Sequence, residues 1–206
     1  MYLQFGKRIF DLTVALLGLI ILAVPMALIA ISIWIASGSP ILFSQQRVGK
    51  DGEIFSVKKF RTMSVGNVED SSITVAGDSR VTPIGRYLRR WKLDELPQLW
   101  NVFVGEMSLV GPRPDVPGYA DKLQGDDRKL LLLRPGITGP ATIVYRNEEE
   151  ILAKVSDPVR YNDEVIYPEK VRINLDYLEN SSFAQDLHYI WITFFVKSDK
   201  EQVGKS

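Results

Sequence analysis

The feature that most constrains this chain is an uncharged apolar run at residues 12–35, twenty-four positions with Pro25 near the centre. A helix needs roughly 20 apolar residues to cross a bilayer, so the run is long enough. A secretory leader would carry an apolar stretch of about 7–15 residues and a small-residue cleavage site. This run is longer, and Ala36-Ser37-Gly38 matches such a site poorly. A helix that is apolar all round belongs in a membrane or in a large protein core. Pro25 lacks the amide proton that a helix interior requires, so a kink or break is expected there. Lys7 and Arg8 precede the run, and Arg47, Lys50, Lys58, Lys59 and Arg61 follow it. Basic flanks mark the cytoplasmic side, and here they occupy both ends. A helix that enters, bends at Pro25 and returns to the same face satisfies both flanks. A kinked single-pass anchor satisfies one, and the residues alone leave the two readings even. Asp11 stands within one turn of Lys7 and Arg8, spaced for a salt bridge at the membrane interface, so these three are read as interface residues.

The remaining chain completes 206 residues, enough for one domain with a sizeable core. The expected division is a membrane helix at 1–36, a catalytic domain at 37–197 and a polar tail from 198. The formal net charge is zero, so no global field draws the protein to nucleic acid. Cysteine is absent, which excludes disulfides and a thiolate zinc site. The single histidine, His188, weighs against a histidine-based triad and reads as a structural or surface residue. Residues 41–43 and 54–62, joined by the Asp51-Gly52 turn signal, read as a hairpin. Lys59 and Arg61 lie two apart and would share one strand face, suited to an anion or to lipid headgroups. Residues 64–79 are polar and read as a surface loop. Residues 86–93 interleave Arg86, Arg89, Arg90 and Lys92 with Tyr87, Leu88, Trp91 and Leu93, a basic amphipathic helix suited to an anionic surface.

Next come two adjacent carboxylates, Asp94 and Glu95. The plain reading of Asp94 is the N-cap of the helix that follows it. The functional reading rests on the second carboxylate and on the several arginines within ten residues. A carboxylate pair suits Mg²⁺, which takes one or two carboxylates plus substrate phosphates. A carboxylate can also be the nucleophile in phosphoryl transfer, forming an aspartyl phosphate. Downstream, Pro112 and Pro114 stiffen the backbone around Arg113, which lowers the entropy cost of docking that arginine on a phosphate.

Five segments occur in a recognisable order: Lys7-Arg8-Ile9-Phe10-Asp11, Lys59-Phe60-Arg61-Thr62-Met63, Leu93-Asp94-Glu95-Leu96-Pro97-Gln98-Leu99-Trp100-Asn101-Val102, Met107-Ser108-Leu109-Val110-Gly111-Pro112-Arg113-Pro114 and Arg134-Pro135-Gly136-Ile137-Thr138-Gly139. With them the chain resembles the bacterial sugar transferases, specifically the small monotopic phosphoglycosyl transferases, over roughly residues 5–195. The resemblance implies an α+β fold: a re-entrant membrane helix broken at Val24-Pro25, and a compact, mostly helical cytosolic domain with a small hairpin and amphipathic interface helices. It implies transfer of a sugar phosphate from a UDP-sugar to polyprenyl (undecaprenyl) phosphate through a covalent aspartyl intermediate, with release of UMP; the alternatives are direct attack by the lipid phosphate, or a non-catalytic membrane-surface protein whose basic clusters bind lipid headgroups. It further implies Asp94 as the nucleophile and Glu95 as a holder of Mg²⁺, with Asp94 beside it. Phosphate contacts would fall on Arg89 and Arg113, with Lys59, Arg61 and Arg146 as further cations. It places the protein on the cytoplasmic face of the bacterial inner membrane, among membrane lipids. A homodimer is left open.

The sequence departs from that pattern in places. After residue 139, Arg146 and Asn147 fit, while Tyr145 stands where relatives often have glycine. Asn174 stands where they often have aspartate. Residues 115–133 read as a charged helix with leucines, and Glu148–Glu150 as a solvated helix start. Residues 184–197 are apolar and aromatic, with core packing the simpler expectation.

Overall fold

A computed structural model describes residues 2, 6–64 and 80–195. The sequence-predicted loop, apart from Ser64, and the polar tail lie outside those residues.

The apolar run forms two helices, α1 (Lys7–Ile21) and α2 (Ala23–Ser37), bent by 60°. The break falls at Leu22, one turn before the proline (φ −90°, ψ 2°). The displacement has a simple cause: a proline ring collides with the carbonyl four residues earlier, here that of Ile21. Among the described residues no single helix is long and apolar enough to cross a membrane, while the bent pair together has the length and composition to do so. Ile20, Ile21, Val24, Leu28, Ile31, Trp34 and Ile35 are all largely exposed along it.

The hairpin is longer on its first strand than the sequence suggests. β1 (Leu42–Val48) pairs antiparallel with β2 (Ile54–Phe60). Asp51 (φ 58°) and Gly52 (φ 84°) both take left-handed backbone, as the Asp-Gly signal demands. Helix α3 (Pro83–Arg90) starts at Thr82, whose side chain accepts from the Gly85 amide at 3.0 Å, with Pro83 in the first turn. Gly85 lets α3 approach closely, since a Cβ there would lie 2.1 Å from the Thr62 carbonyl oxygen. α4 (Gln98–Val104) follows and packs on α1.

Two three-residue strands, β3 (Ser108–Val110) and β4 (Gly136–Thr138), pair in parallel. The sequence reading missed both. Between them the expected charged helix is instead a pair of 3-10 segments, Ala120–Lys122 and Gly125–Leu132. Short helices α5 (Pro140–Val144), α6 (Glu148–Leu152) and α7 (Pro158–Tyr161) lead through a π turn into α8 (Tyr167–Asn180) and α9 (Phe183–Phe195). The fold is α+β and mostly helical.

The main core gathers Ala15, Phe55, Val57, Val102, Met107, Leu109, Val110, Leu133 and Tyr177. A second cluster seats Ile33 of α2 against Phe60 and Leu88, so the far end of the bent pair rests on β2 and α3. Over the described part of the 184–197 run, which ends at Phe195, expected core packing holds only on one side: Trp191, Phe194 and Phe195 remain largely exposed. His188 is exposed.

At the root of the bent pair, Lys7 and Asp11 are buried and Arg8 is half-buried, each bonded within the protein. Lys7 Nζ meets Asp186 Oδ2 of α9 at 2.5 Å. Arg8 donates to the carbonyls of Val102 and Phe103 at 2.6 and 2.8 Å, closing the C-terminus of α4. Asp11 accepts from Ser108 Oγ at 2.8 Å and from the Leu109 amide at 3.0 Å. Its partners are thus the strand β3 hydroxyl and backbone, where the sequence suggested Lys7 or Arg8. A charge taken out of water needs such partners, and the nearest in sequence are not the ones the fold brings.

Candidate active site

Asp94 and Glu95 sit in a 3-10 turn, Leu93–Glu95, between α3 and α4. Lys92 before them adopts left-handed backbone (φ 52°), which reverses the chain and sets the turn against β2. Asp94 does not cap the following helix. That helix begins at Gln98, with Pro97 preceding it and no side-chain cap. Asp94 is buried, yet its carboxylate has no side-chain hydrogen-bond partner among the described residues. The plain cap reading of Asp94 therefore fails.

Glu95 stands differently. Lys59 Nζ of β2 donates to Glu95 Oε1 at 2.7 Å, and Arg113 Nη2 lies 3.7 Å from the same oxygen. Oε2 carries no hydrogen bond among the described residues and stays open to a further cation. The environment splits the two carboxylates. Burial, then the charge of Glu95, raises Asp94 above its ordinary value. Burial would raise Glu95 as well, but Lys59, Arg113 and Lys92 outweigh it and hold Glu95 low. Burial lowers Lys92, helped by Arg113, Arg146 and Lys59, against the pull of Glu95.

The expected site residues fall into two groups. Asp94, Glu95, Lys59, Arg89 and Arg113 come together. Arg89 Nε donates to Thr62 Oγ1 at 2.9 Å, and its charge favours the ionised form of Asp94. Arg61 does not join them. It is buried beyond the end of β2, where its Nη2 donates to the Ser37 and Gly38 carbonyls at 2.6 and 2.8 Å. It therefore ties the end of α2 to the sheet, since unpaired helix C-terminal carbonyls need a donor. Arg146 donates to the Ile192 carbonyl of α9 at 3.1 Å, and its charge is felt by Lys92. Tyr145 holds Lys170 over its ring at 5.6 Å, and Lys170 pairs with Glu148 at 2.7 Å, so that glutamate is not a merely solvated start. Asn174 is buried in α8, and its Oδ1 has no partner among the described residues.

Sequence reasoning passed over three residues that hold the site in place or complete its walls. Asn101 of α4 is fully buried. Its Oδ1 accepts from the Lys58 amide at 3.1 Å, while Nδ2 donates to the Ser56 carbonyl at 2.8 Å and to Glu106 Oε2 at 2.6 Å. One side chain thereby locks α4 to the strand that carries Lys59. Arg47 of β1 donates to the Pro114 carbonyl at 3.1 Å and to Gln45 Oε1 at 2.6 Å, and the Val48 amide donates to the Asp115 carbonyl at 2.9 Å. These bonds fix the turn that presents Arg113. On the other side Gly111 packs so tightly that a Cβ would lie 2.3 Å from the Arg134 carbonyl oxygen. The third is Gln98, in the wall of a cleft beside Glu95. Both Asn101 and Gln98 lie in the Leu93–Val102 segment that carries the family resemblance, which is the sequence signal for them.

An adjacent acidic pair, only one oxygen of which is bonded to a side chain, with Lys59, Arg89 and Arg113 around it, has the chemistry to meet an anion together with a cation. Among the described residues no cluster of three or more metal-ligating side chains exists. Two carboxylates with open oxygens nevertheless fit Mg²⁺, whose remaining ligands are waters and substrate phosphates.

Residues 2–200 match the bacterial sugar transferase family, and the chain belongs to it. It is 36% identical over 194 residues to a UDP-glucose:undecaprenyl-phosphate glucose-1-phosphate transferase of Klebsiella pneumoniae, covering 92% of this chain and 39% of that protein. It is 38% identical over 195 residues to an undecaprenyl-phosphate glucose phosphotransferase of Komagataeibacter xylinus, covering 91% of this chain and 35% of that protein. Another relative, an uncharacterized sugar transferase of Bacillus subtilis (strain 168), is 35% identical over 188 residues, covering 91% of this chain and 84% of that protein. The chain thus spans about two fifths of the longer relatives.

Proposed function

We propose that this chain transfers a sugar 1-phosphate from a UDP-sugar to undecaprenyl phosphate or a similar polyprenyl phosphate, releasing UMP. The observation that carries the reading is the division of labour between the two carboxylates: Asp94 buried and unpaired, Glu95 held ionised by Lys59 and Arg113. The names of the relatives support the substrate classes. In the first step an Asp94 carboxylate oxygen bonds to the β-phosphorus, and the bond from that phosphorus to the bridging oxygen breaks. UMP departs with the electron pair. In the second step an oxygen of the lipid phosphate bonds to the same phosphorus, and the Asp94–phosphorus bond breaks, restoring the carboxylate. This is a ping-pong scheme. Arg89 and Arg113 balance charge on the transferring and leaving phosphates. Mg²⁺ held by Glu95 and Asp94 would supply further neutralisation of the diphosphate.

One substrate is soluble and the other is anchored in lipid, so the site belongs at a membrane surface. The bent pair α1–α2 dips into the cytoplasmic leaflet of the bacterial inner membrane and returns to the same face. Its exposed apolar side chains and the basic residues at both ends support that placement. Cysteines introduced at positions 3 and 200 are expected to be labelled from the same side, and labelling from opposite sides would contradict re-entry. For the activity, the protein with Mg²⁺ and undecaprenyl phosphate is to be offered a panel of UDP-sugars. UMP should appear with at least one of them, and its absence from all would sink the reading.

A further inference from the structure

One face of the β1–β2 hairpin forms the floor of a shallow, open cleft beside Glu95. Strand alternation puts Phe43 and Arg47 on that face together with Lys59, which pairs with Phe43 across the sheet. Arg113, Pro114 and Gln98 complete the walls used here. Asp94 does not line this cleft, although Glu95 does.

Gln98 is the telling residue. It is the first residue of α4 and only 4% exposed, yet its carboxamide forms no hydrogen bond among the described residues. Its polar atoms are not sealed from the cleft, since none is among the fully buried, unpartnered atoms. Asn101, one turn along the same helix, is equally buried and uses its carboxamide fully. The Gln98 carboxamide is therefore uncommitted within the protein and open to a partner that enters the cleft.

Three cations line the cleft: Lys59, Arg47 and Arg113. An in-line displacement sends the leaving group away from the nucleophile, and here the leaving group is a nucleoside monophosphate that gains negative charge. A cleft that includes Glu95 but not Asp94, and that carries cations, suits that half of the donor. Phe43 and Pro114 offer apolar surfaces for a pyrimidine ring. A carboxamide presents a donor and an acceptor side by side, matching the N3–H and adjacent carbonyl of uracil. We propose that this cleft receives the uridine monophosphate half of the donor and that Gln98 hydrogen-bonds the uracil edge. This rests on the transferase reading above.

The test uses the full chain in detergent with Mg²⁺, measuring UMP binding at equilibrium and UDP-sugar turnover in the steady state. Gln98→Met keeps the volume and removes the amide. Its Kd for UMP and its KM for the UDP-sugar should both rise about tenfold, with kcat within about twofold of wild type. A raised KM with unchanged UMP binding would assign Gln98 to the sugar, and no change in either would make it structural; both overturn the proposal. A second measurement needs no variant: N3-methyl-UMP should bind the wild-type chain about tenfold more weakly than UMP. Equal binding of the two, or no UMP binding at all, also overturns the proposal. UMP that binds with N3 selectivity while no UDP-sugar turns over would instead locate the failure in the transferase reading.

Discussion

Two buried charge clusters in this protein contrast sharply. At the root of α1, Asp186 is fully buried, and its carboxylate accepts from Lys7 Nζ, Tyr2 and Tyr177, each at 2.5 Å. Every oxygen is occupied, and the hydroxyl of Tyr177 is driven to hold its proton by burial and by Asp186. About Asp94, burial is nearly as deep but the bonding is left open: Asp94 has no side-chain partner, Glu95 keeps one oxygen uncommitted and Gln98 none of its amide bonded. Buried polar groups are normally satisfied, so the closed cluster holds the fold, while the open one keeps the bonding capacity that the proposed reaction uses. Both contain a buried carboxylate. The lesson is that bonding, more than burial or charge, separates architecture from chemistry.

That contrast can be broken by experiment. Asp94→Asn should cut UMP release by at least about a thousandfold, as loss of a covalent nucleophile does. Its melting temperature should stay level or rise, because a desolvated carboxylate has been removed; a marked fall would mean that Asp94 is structural. Asp186→Ala should behave in the opposite sense, costing about 3–5 kcal/mol in urea unfolding because Lys7 is left as an uncompensated buried charge. The double variant Lys7→Met with Asp186→Leu should lose less than Asp186→Ala alone, and additive losses would show that the two do not act as a pair. Glu95→Gln should lower kcat by about a hundredfold through weaker charge stabilisation. A change in KM alone would remove Glu95 from the chemistry.

The smallest effects concern pH. In the proposed scheme Asp94 attacks in its ionised form; its pKa is raised, so turnover should fall on acidification at a pH above the ordinary aspartate range. Asp115, beside the Arg113 turn, is pushed up to about 6 by burial, against Lys170 and Arg47. A raised native pKa means that the folded state binds the proton more tightly than the unfolded chain. The resulting stabilisation is complete below the unfolded pKa of about 3.9 and is lost as pH rises through about 6. Between pH 4 and 7 the wild type should therefore lose melting temperature relative to Asp115→Asn, and parallel profiles would contradict the shift.

Much of the open cluster was legible in the sequence, and little of the closed one. Asp94, Glu95, Arg89 and Arg113 lie within twenty-five residues of each other, so local spacing already suggests a site. Lys59 needed only a hairpin that its Asp-Gly turn announces. Lys7 and Asp186 are separated by 179 positions, and no local pattern links them. Lys7, Arg8 and Asp11 were therefore paired with their neighbours and with the membrane, when their partners come from α4, β3 and α9. Arg61 looked like Lys59 two positions earlier, but the strand ends at Phe60 and the helix end needs a donor. β3 and β4 are three residues each, too short for alternation to show. The helix break falls at Leu22, one turn before the expected Val24-Pro25, because a proline acts on the carbonyl four residues behind it.

The claim that an open carboxylate at Asp94 is the nucleophile is tested most directly without the lipid acceptor. The wild-type chain is mixed with Mg²⁺ and an accepted UDP-sugar, and both UMP and the intact protein mass are followed. The account predicts about one equivalent of UMP per protein and a mass gain of one sugar phosphate, located on Asp94 and absent from Asp94→Asn. UMP that forms only when polyprenyl phosphate is added, with no adduct on the protein, would mean direct attack by the lipid and would contradict it.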